Sequence, residues 1–240
     1  MVNQFKFSQT LRGNCDLVTA HDHKADLLTN KCKSGQANLV IFDLFGTLVQ
    51  YGVQHHPFRR LLKWARENGR QPKADDARTL MTINTDIPNL VASLGINAPH
   101  TLIEQIEKDI QEELNSLSLF ADVRPTLSGL TERGISFAIC SNLAAPYGWV
   151  VEQLLGDYRF IRCLSYEIGF IKPEIGIYQF LITESGLTPE NCIFIGDTFI
   201  ADYQAPIAFG MNARHLVRDN SRSDNFTITS LSEISALLDT

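Results

Sequence analysis

The chain has 240 residues, 44% hydrophobic and 20% charged, with a formal net charge of −6. That length and balance suit one α/β domain with a sizeable insert and exclude a chain too polar to bury a core. Mild acidity with no basic run argues against nucleic acid as the main partner, and no apolar stretch is long enough to span a bilayer.

Residues 1–37 are polar and show no clean period. They carry Cys15, His21, His23 and Cys32 at spacings that match no zinc pattern, so they are read as an N-terminal extension. Lys6 separates Phe5 from Phe7, which leaves no apolar core of signal-peptide length. Five scattered cysteines, odd in number, need no disulfide framework, and a reduced, cytoplasmic setting is expected.

The first apolar run, Leu39-Val40-Ile41-Phe42, ends in Asp43 and is followed by a Gly46-Thr47 turn. A connector at 49–53 leads to Pro57, a residue favoured in the first turn of a helix, and Phe58, Leu61, Leu62 and Ala65 recur at helical spacing. Helical stretches follow at 75–83 and 86–94, punctuated by Pro88 and Gly95. Pro99 opens another, with Leu102, Ile103, Ile106, Ile110, Leu114 and Leu117 on one face. About four helices are therefore expected between 55 and 118, forming an all-helical insert.

Beyond Phe120, a helix is expected over 124–133, closed by Gly134 at the C′ position. Strands are expected at 135–140, 160–164, 192–195 and 213–217, with a helix after Pro173. Cys140 and Cys192 fall inside apolar strands, where a thiol packs as a small hydrophobe. Three of the runs end in a polar residue: Asp43, Ser141 and, through Gly196, Asp197. Because ligands in open α/β sheets sit beyond the carboxyl ends of the strands, these residues should converge on one crevice.

Ile41-Phe42-Asp43-Leu44-Phe45-Gly46-Thr47-Leu48, Ser141-Asn142, Lys172-Pro173-Glu174 and Gly196-Asp197-Thr198 with Asp202 occur in that order. In this the chain resembles the haloacid dehalogenase-like hydrolase superfamily over about residues 38–220. The resemblance implies a Rossmann-like, doubly wound parallel sheet in the order 5-4-1-2-3 with an inserted helical cap. Its core would comprise 38–54 and 119–240, and its cap 55–118. It also implies Asp43 as nucleophile and Mg²⁺ held by Asp43, the main chain of Phe45 and Asp197, with Asp202 in support. Lys172 would balance phosphate charge and keep Asp43 ionised, Ser141 and Asn142 would bind phosphoryl oxygens, and Thr47 would orient Asp43 or satisfy the turn.

One position departs from the phosphatase pattern. Where phosphatases of that superfamily carry a second aspartate as general acid, this chain has Phe45. An aromatic there is similar to the 2-haloacid dehalogenases, which need no metal, whereas Gly196-Asp197 keeps the metal carboxylate. His55 or His56, at the entrance to the insert, could serve as the acid or stand as exposed hinge residues. Arg59 and Arg60, with Phe58 and Trp64, form either an anion cradle or an ordinary mixed helix face. The leading expectation is a Mg²⁺-dependent phosphatase acting on a small phosphorylated molecule; a dehalogenase-like hydrolase and a weakly active binding protein are the alternatives.

Overall fold

The structure, a computed structural model, describes residues 38–219 and 224–239. Cys15, His21, His23 and Cys32 lie outside them. A six-stranded sheet is formed by β1 (Leu39–Phe42), β4 (Ser136–Ser141), β5 (Ile161–Leu164), β6 (Cys192–Gly196), β7 (Asn212–Leu216) and β8 (Thr227–Ile228). Its order is β5-β4-β1-β6-β7-β8 and every pairing is parallel. Over the five expected strands this is the anticipated 5-4-1-2-3 order read from the opposite edge. The sixth strand, β8, was not anticipated: two residues are too short to carry a periodic signal, and they pair only with His215 and Leu216.

Side chains on neighbouring positions of a strand point to opposite faces, and both faces here are covered. Val40, Phe42, Ile139 and Ile195 face one hydrophobic layer. Leu39, Ile41, Cys140 and Phe194 face the other, against Ile177, Tyr178 and Leu181. Burial on both faces explains why the strands read as unbroken apolar runs.

Between β1 and β4 the chain forms α1 (Pro57–Glu67), α2 (Asp76–Thr82), α3 (Ile87–Ser93) and α4 (His100–Ser116). Pro57 begins α1, and Asp86 caps α3 by accepting the Asn89 N–H at 2.9 Å. The apolar stripe of α4 packs inward as its periodicity predicts, yet Asp109 and Glu113 are buried among Ile106, Ile110 and Leu114.

A short antiparallel pair, β2 (Val49–Gln50) with β3 (Ser118–Leu119), ties this helical insert to the sheet. Two further links fasten α2. Arg78 donates to Glu174 Oε1 at 2.7 Å and to the Gly169 carbonyl at 2.8 Å, and Ser165 Oγ donates to the Met81 carbonyl at 2.6 Å.

After β3 come α5 (Val123–Glu132), α6 (Trp149–Leu155), α7 (Ser165–Ile168) and α8 (Ile175–Ser185). Gly134, at φ 67°, reverses the chain behind α5. Among the described residues, no helix is long and apolar enough to cross a membrane.

Candidate active site

β1 lies between β4 and β6, with Phe42 opposite Ile139 on one side and Ile195 on the other. Asp43 leaves the end of this central strand and donates its N–H to the Ile195 carbonyl at 2.9 Å. Asp197 follows β6 directly, and Asp202 lies in the π-helical turn Phe199–Gln204 behind it. One carboxylate oxygen from each of Asp43, Asp197 and Asp202 lies within 4.8 Å of the others.

Lys172 is buried among these acids. Its Nζ donates to Asp43 Oδ1 at 2.7 Å and to Asp202 Oδ1 at 2.6 Å. The backbone beside it is clamped by Asn142, whose side-chain NH₂ donates to the Lys172 carbonyl at 2.8 Å and whose Oδ1 accepts the Lys172 N–H at 2.6 Å. The second oxygen of Asp202 accepts the Thr198 N–H at 2.9 Å. Both oxygens of Asp202 are therefore committed within the protein.

Two glycines make the gathering possible. Gly46 has φ +80°, and a Cβ there would stand 2.2 Å from Asp197 Oδ2. A Cβ on Gly196 would stand 2.3 Å from Asp202 Oδ2. Any side chain at either position would displace a carboxylate.

Three acids around one lysine leave the cluster with surplus negative charge. Burial pushes Asp43 up from 3.8 to about 7; Lys172 opposes this, while Asp202 and Asp197 add to it. Asp197 is raised too, first by burial and then by Asp202. Burial disfavours the charged form of Lys172, but Asp43 and Asp202 outweigh that penalty and hold its ammonium well above its ordinary value. Hard oxygen donors with excess negative charge fit Mg²⁺. The glycine cradle at Gly46 keeps space beside Asp197 open.

Other anticipated residues are placed differently. Ser141 ends β4 on the same rim, and the next α-helix begins only at Trp149, after an extended stretch and the 3₁₀ turn Ala145–Tyr147. The Thr47 hydroxyl is buried without a partner and makes no bond to Asp43; the Thr47 carbonyl instead accepts Arg218 Nη2 at 2.5 Å. His55 turns to α4, its Nε2 2.8 Å from Glu112 Oε2 but out of line for a hydrogen bond. His56 and Arg59 line a cavity of about 450 Å³ that adjoins the carboxylates at Phe45 and Asn142.

Phe45 forms one wall of that cavity. Its ring stacks on Tyr51 with centroids 4.8 Å apart and meets Tyr147 edge-on at 6.2 Å. Glu113 closes the far side, Oε1 accepting the N–H groups of His55 at 2.5 Å and His56 at 2.9 Å, and Oε2 accepting the Tyr147 hydroxyl. Burial, followed by Glu113, raises the pKa of both Tyr51 and Tyr147, so their hydroxyls stay protonated.

Sequence reasoning missed Glu113, because it interrupts an apolar stripe, and Arg218, which no local pattern marks. Arg218 donates to the Gly46 and Thr47 carbonyls at 3.2 and 2.5 Å and pairs with Asp122 at 3.1 Å, while its guanidinium lies 3.7 Å from the Phe120 ring centre. It therefore fixes the turn after Asp43 to the segment that returns from the insert.

A parallel sheet whose central strand ends bring three carboxylates together beside a buried lysine, below a helical insert, has the form of a hydrolase site. The chain belongs to the haloacid dehalogenase-like hydrolase family, whose model matches residues 37–210. Glyceraldehyde 3-phosphate phosphatase of Methanothermobacter thermautotrophicus is 27% identical over 127 residues, covering 49% of this chain and 56% of that protein. The chain thus spans about half the length of the curated relatives it matches. In fold it is similar to a 2-haloacid dehalogenase from Pseudomonas syringae, with TM-score 0.58, 18% identity and coverage of 84% of this chain and 98% of that one. It is similar also to a family enzyme from Bacteroides thetaiotaomicron in complex with magnesium and inorganic phosphate, with TM-score 0.55, 18% identity and coverage of 78% and 97%. Both chemistries occur among these neighbours, so the fold alone does not choose between them.

Proposed function

We propose that this chain is a Mg²⁺-dependent phosphatase acting on a small phosphorylated metabolite through an aspartyl-phosphate at Asp43. The observation that carries the reading is the set of three carboxylates within 4.8 Å, with Lys172 bridging only two of them. Dehalogenase chemistry has no use for Asp197 as a metal carboxylate. The phosphatase name of the archaeal relative supports a phosphorylated substrate. Residues 38–54 and 119–240 act as the catalytic core in this reading, and 55–118 act as its cap.

Asp43 attacks phosphorus, forming an Asp–O–P bond as the ester P–O bond breaks and the leaving oxygen departs. Water then cleaves the aspartyl-phosphate and releases inorganic phosphate. Lys172 favours the ionised form of Asp43 against the burial that opposes it and offers positive charge to the phosphoryl group, and Asn142 holds Lys172 in place. Ser141, at the end of the neighbouring strand β4, would bind a phosphoryl oxygen. Asp43, the Phe45 carbonyl and Asp197 would hold Mg²⁺, which supplies compensating charge to the phosphoryl oxygens, with Asp202 steadying the set from behind.

Phe45 cannot protonate the leaving oxygen. The expected substrates are therefore those whose leaving group departs with little help, such as acyl or aryl phosphates, unless His56 in the adjoining cavity supplies the proton. The test is a panel of phosphorylated metabolites and 2-haloacids assayed with and without Mg²⁺. Mg²⁺-dependent phosphate release that disappears in Asp43→Asn is expected. Halide release from 2-haloacids without added metal would overturn the reading.

A further inference from the structure

A second cavity, of about 740 Å³, opens on the cap between α1, the 68–75 loop and α2. Arg59, Lys63 and Arg66 line it at helical spacing along one side of α1, and Lys73 lines it from the loop. Phe58 and Leu62 give it an apolar floor. It lies next to the site, because Phe58, Arg59, Ala77 and Leu80 line both this groove and the 450 Å³ cavity that adjoins Phe45.

Much of the charge here lacks a carboxylate partner, whereas most described arginines have one. Arg60, Arg70, Arg78, Arg124, Arg133, Arg162 and Arg218 each pair with a carboxylate. Arg70 lies at the edge of the same groove and is committed to Asp76 through two hydrogen bonds. By contrast, Arg59 and Arg66 have no carboxylate within ion-pair distance among the described residues, and Lys63 reaches Glu67 only at 3.9 Å. Cations gathered over an apolar floor, in a cavity of small-molecule size, form a site complementary to an anion on an organic body.

We propose that this cap groove binds a second anionic group of the substrate, so that the molecule cleaved at Asp43 is a phosphomonoester carrying a distal carboxylate or phosphate. The inference rests on the phosphatase reading and specifies its substrate class. Adjacency to the active-site cavity, through four shared lining residues, favours a distal part of the substrate itself over a separate macromolecule.

The experiment is a molecular ruler. Phosphate release is measured for aryl phosphates, whose leaving group needs no acid, carrying an ω-carboxyalkyl chain or an ω-phosphonoalkyl chain of increasing length, each against the aryl phosphate with an uncharged alkyl chain of equal length. Wild type should favour the charged ester about tenfold or more in kcat/KM at one chain length, mainly through KM, and added salt should shrink the preference. The two charged series separate a carboxylate from a phosphate as the distal group. In Arg66→Glu/Lys73→Glu, which alters exposed positions with little expected cost to folding, that preference should fall about tenfold. Equal kcat/KM for charged and neutral esters at every length, or an unchanged preference in the double variant, would overturn the proposal.

Failure of the phosphatase reading gives a different result, namely no phosphate from any ester. The groove is then judged by calorimetry of Asp43→Asn protein with the same carboxyalkyl-bearing aryl phosphates. About tenfold weaker binding after Arg66→Glu/Lys73→Glu would support the groove, and equal binding would overturn it.

Discussion

The carboxylate cluster beneath β1 and the basic groove on the cap are two regions of unmatched charge with opposite sign and opposite surroundings. In the cluster, Asp43 and Asp202 share one buried lysine with the exposed Asp197 beside them, and burial drives Asp43 up to about 7. In the groove, Arg59 and Arg66 stand in solvent on α1, and water meets the cost of their charge. Surplus charge is costly to hold only where it is buried. The cluster should therefore couple strongly to folding, to protons and to metal, whereas the groove should couple to ligand alone.

The largest expected effect belongs to Asp43. Asp43→Asn keeps the shape and removes the nucleophile, so phosphate release should fall by roughly 10⁴-fold or more while near-ultraviolet circular dichroism stays unchanged. Next comes Lys172→Met, which strands Asp43 and Asp202 without their shared cation. It should destabilise the fold by about 3–5 kcal/mol, read by urea denaturation. Arg66→Met in the groove should change stability by less than about 0.5 kcal/mol. Similar losses at the two positions would erase the contrast.

Phe45→Asp should cost about 2 kcal/mol, because it gives up the Tyr51 and Tyr147 contacts and brings a carboxylate into the cavity wall shared with Glu113. Turnover of alkyl phosphates should not rise. A gain confined to poor leaving groups would show that position 45 is an acid site the aromatic ring merely occupies.

Titration sharpens the comparison further. Because the folded Asp43 binds its proton more tightly than the unfolded one, chelator-treated protein should lose stability as pH rises from about 4 to about 7, and Mg²⁺ should flatten the loss. Asp76 in the cap behaves in the reverse sense. The Arg70 hydrogen bonds, with the Lys73 N–H, hold it down at about 2 against the burial that opposes them, so it stabilises the fold above about 4 and loses that contribution as pH falls toward about 2. Asp76→Asn should cost about 1–2 kcal/mol at pH 7, and the gap from wild type should close in acid. A constant gap would mean that Asp76 acts by packing rather than by charge.

The chain's local patterns were sufficient for five of the sheet's six strands and for the strand-end positions of Asp43, Ser141 and Asp197. An apolar run stopped by one polar residue is a feature of a few consecutive positions, and parallel strands buried on both faces leave that signature in β1, β4 and β6. The four helices of the insert were legible for a similar reason: 3.6-residue spacing survives in the sequence at Leu61 and Ala65 or Ile106 and Ile110. Strand order was legible through the family resemblance, because β5-β4-β1-β6-β7 follows the order that family's motifs imply.

Tertiary structure alone decided what lies around those strand ends. Arg218 reaches back to the carbonyls of Gly46 and Thr47, and no pattern along the chain records a contact made across so many residues. Glu113 breaks an apolar stripe, and it is tolerated in the interior because the His55 and His56 N–H groups and the Tyr147 hydroxyl satisfy its oxygens. Adjacent histidines are equivalent in sequence, yet His56 takes the left-handed backbone at φ 56° and lines the cavity while His55 faces α4. The basic groove is the extreme case: Arg59 reads from sequence as part of either an anion cradle or an ordinary mixed helix face, and Lys63, Arg66 and Lys73 carry no local signal, until the fold brings them to one groove. Periodicity and strand-end chemistry are carried by neighbours in the chain, whereas charge balance at a site depends on which distant side chains packing brings within reach.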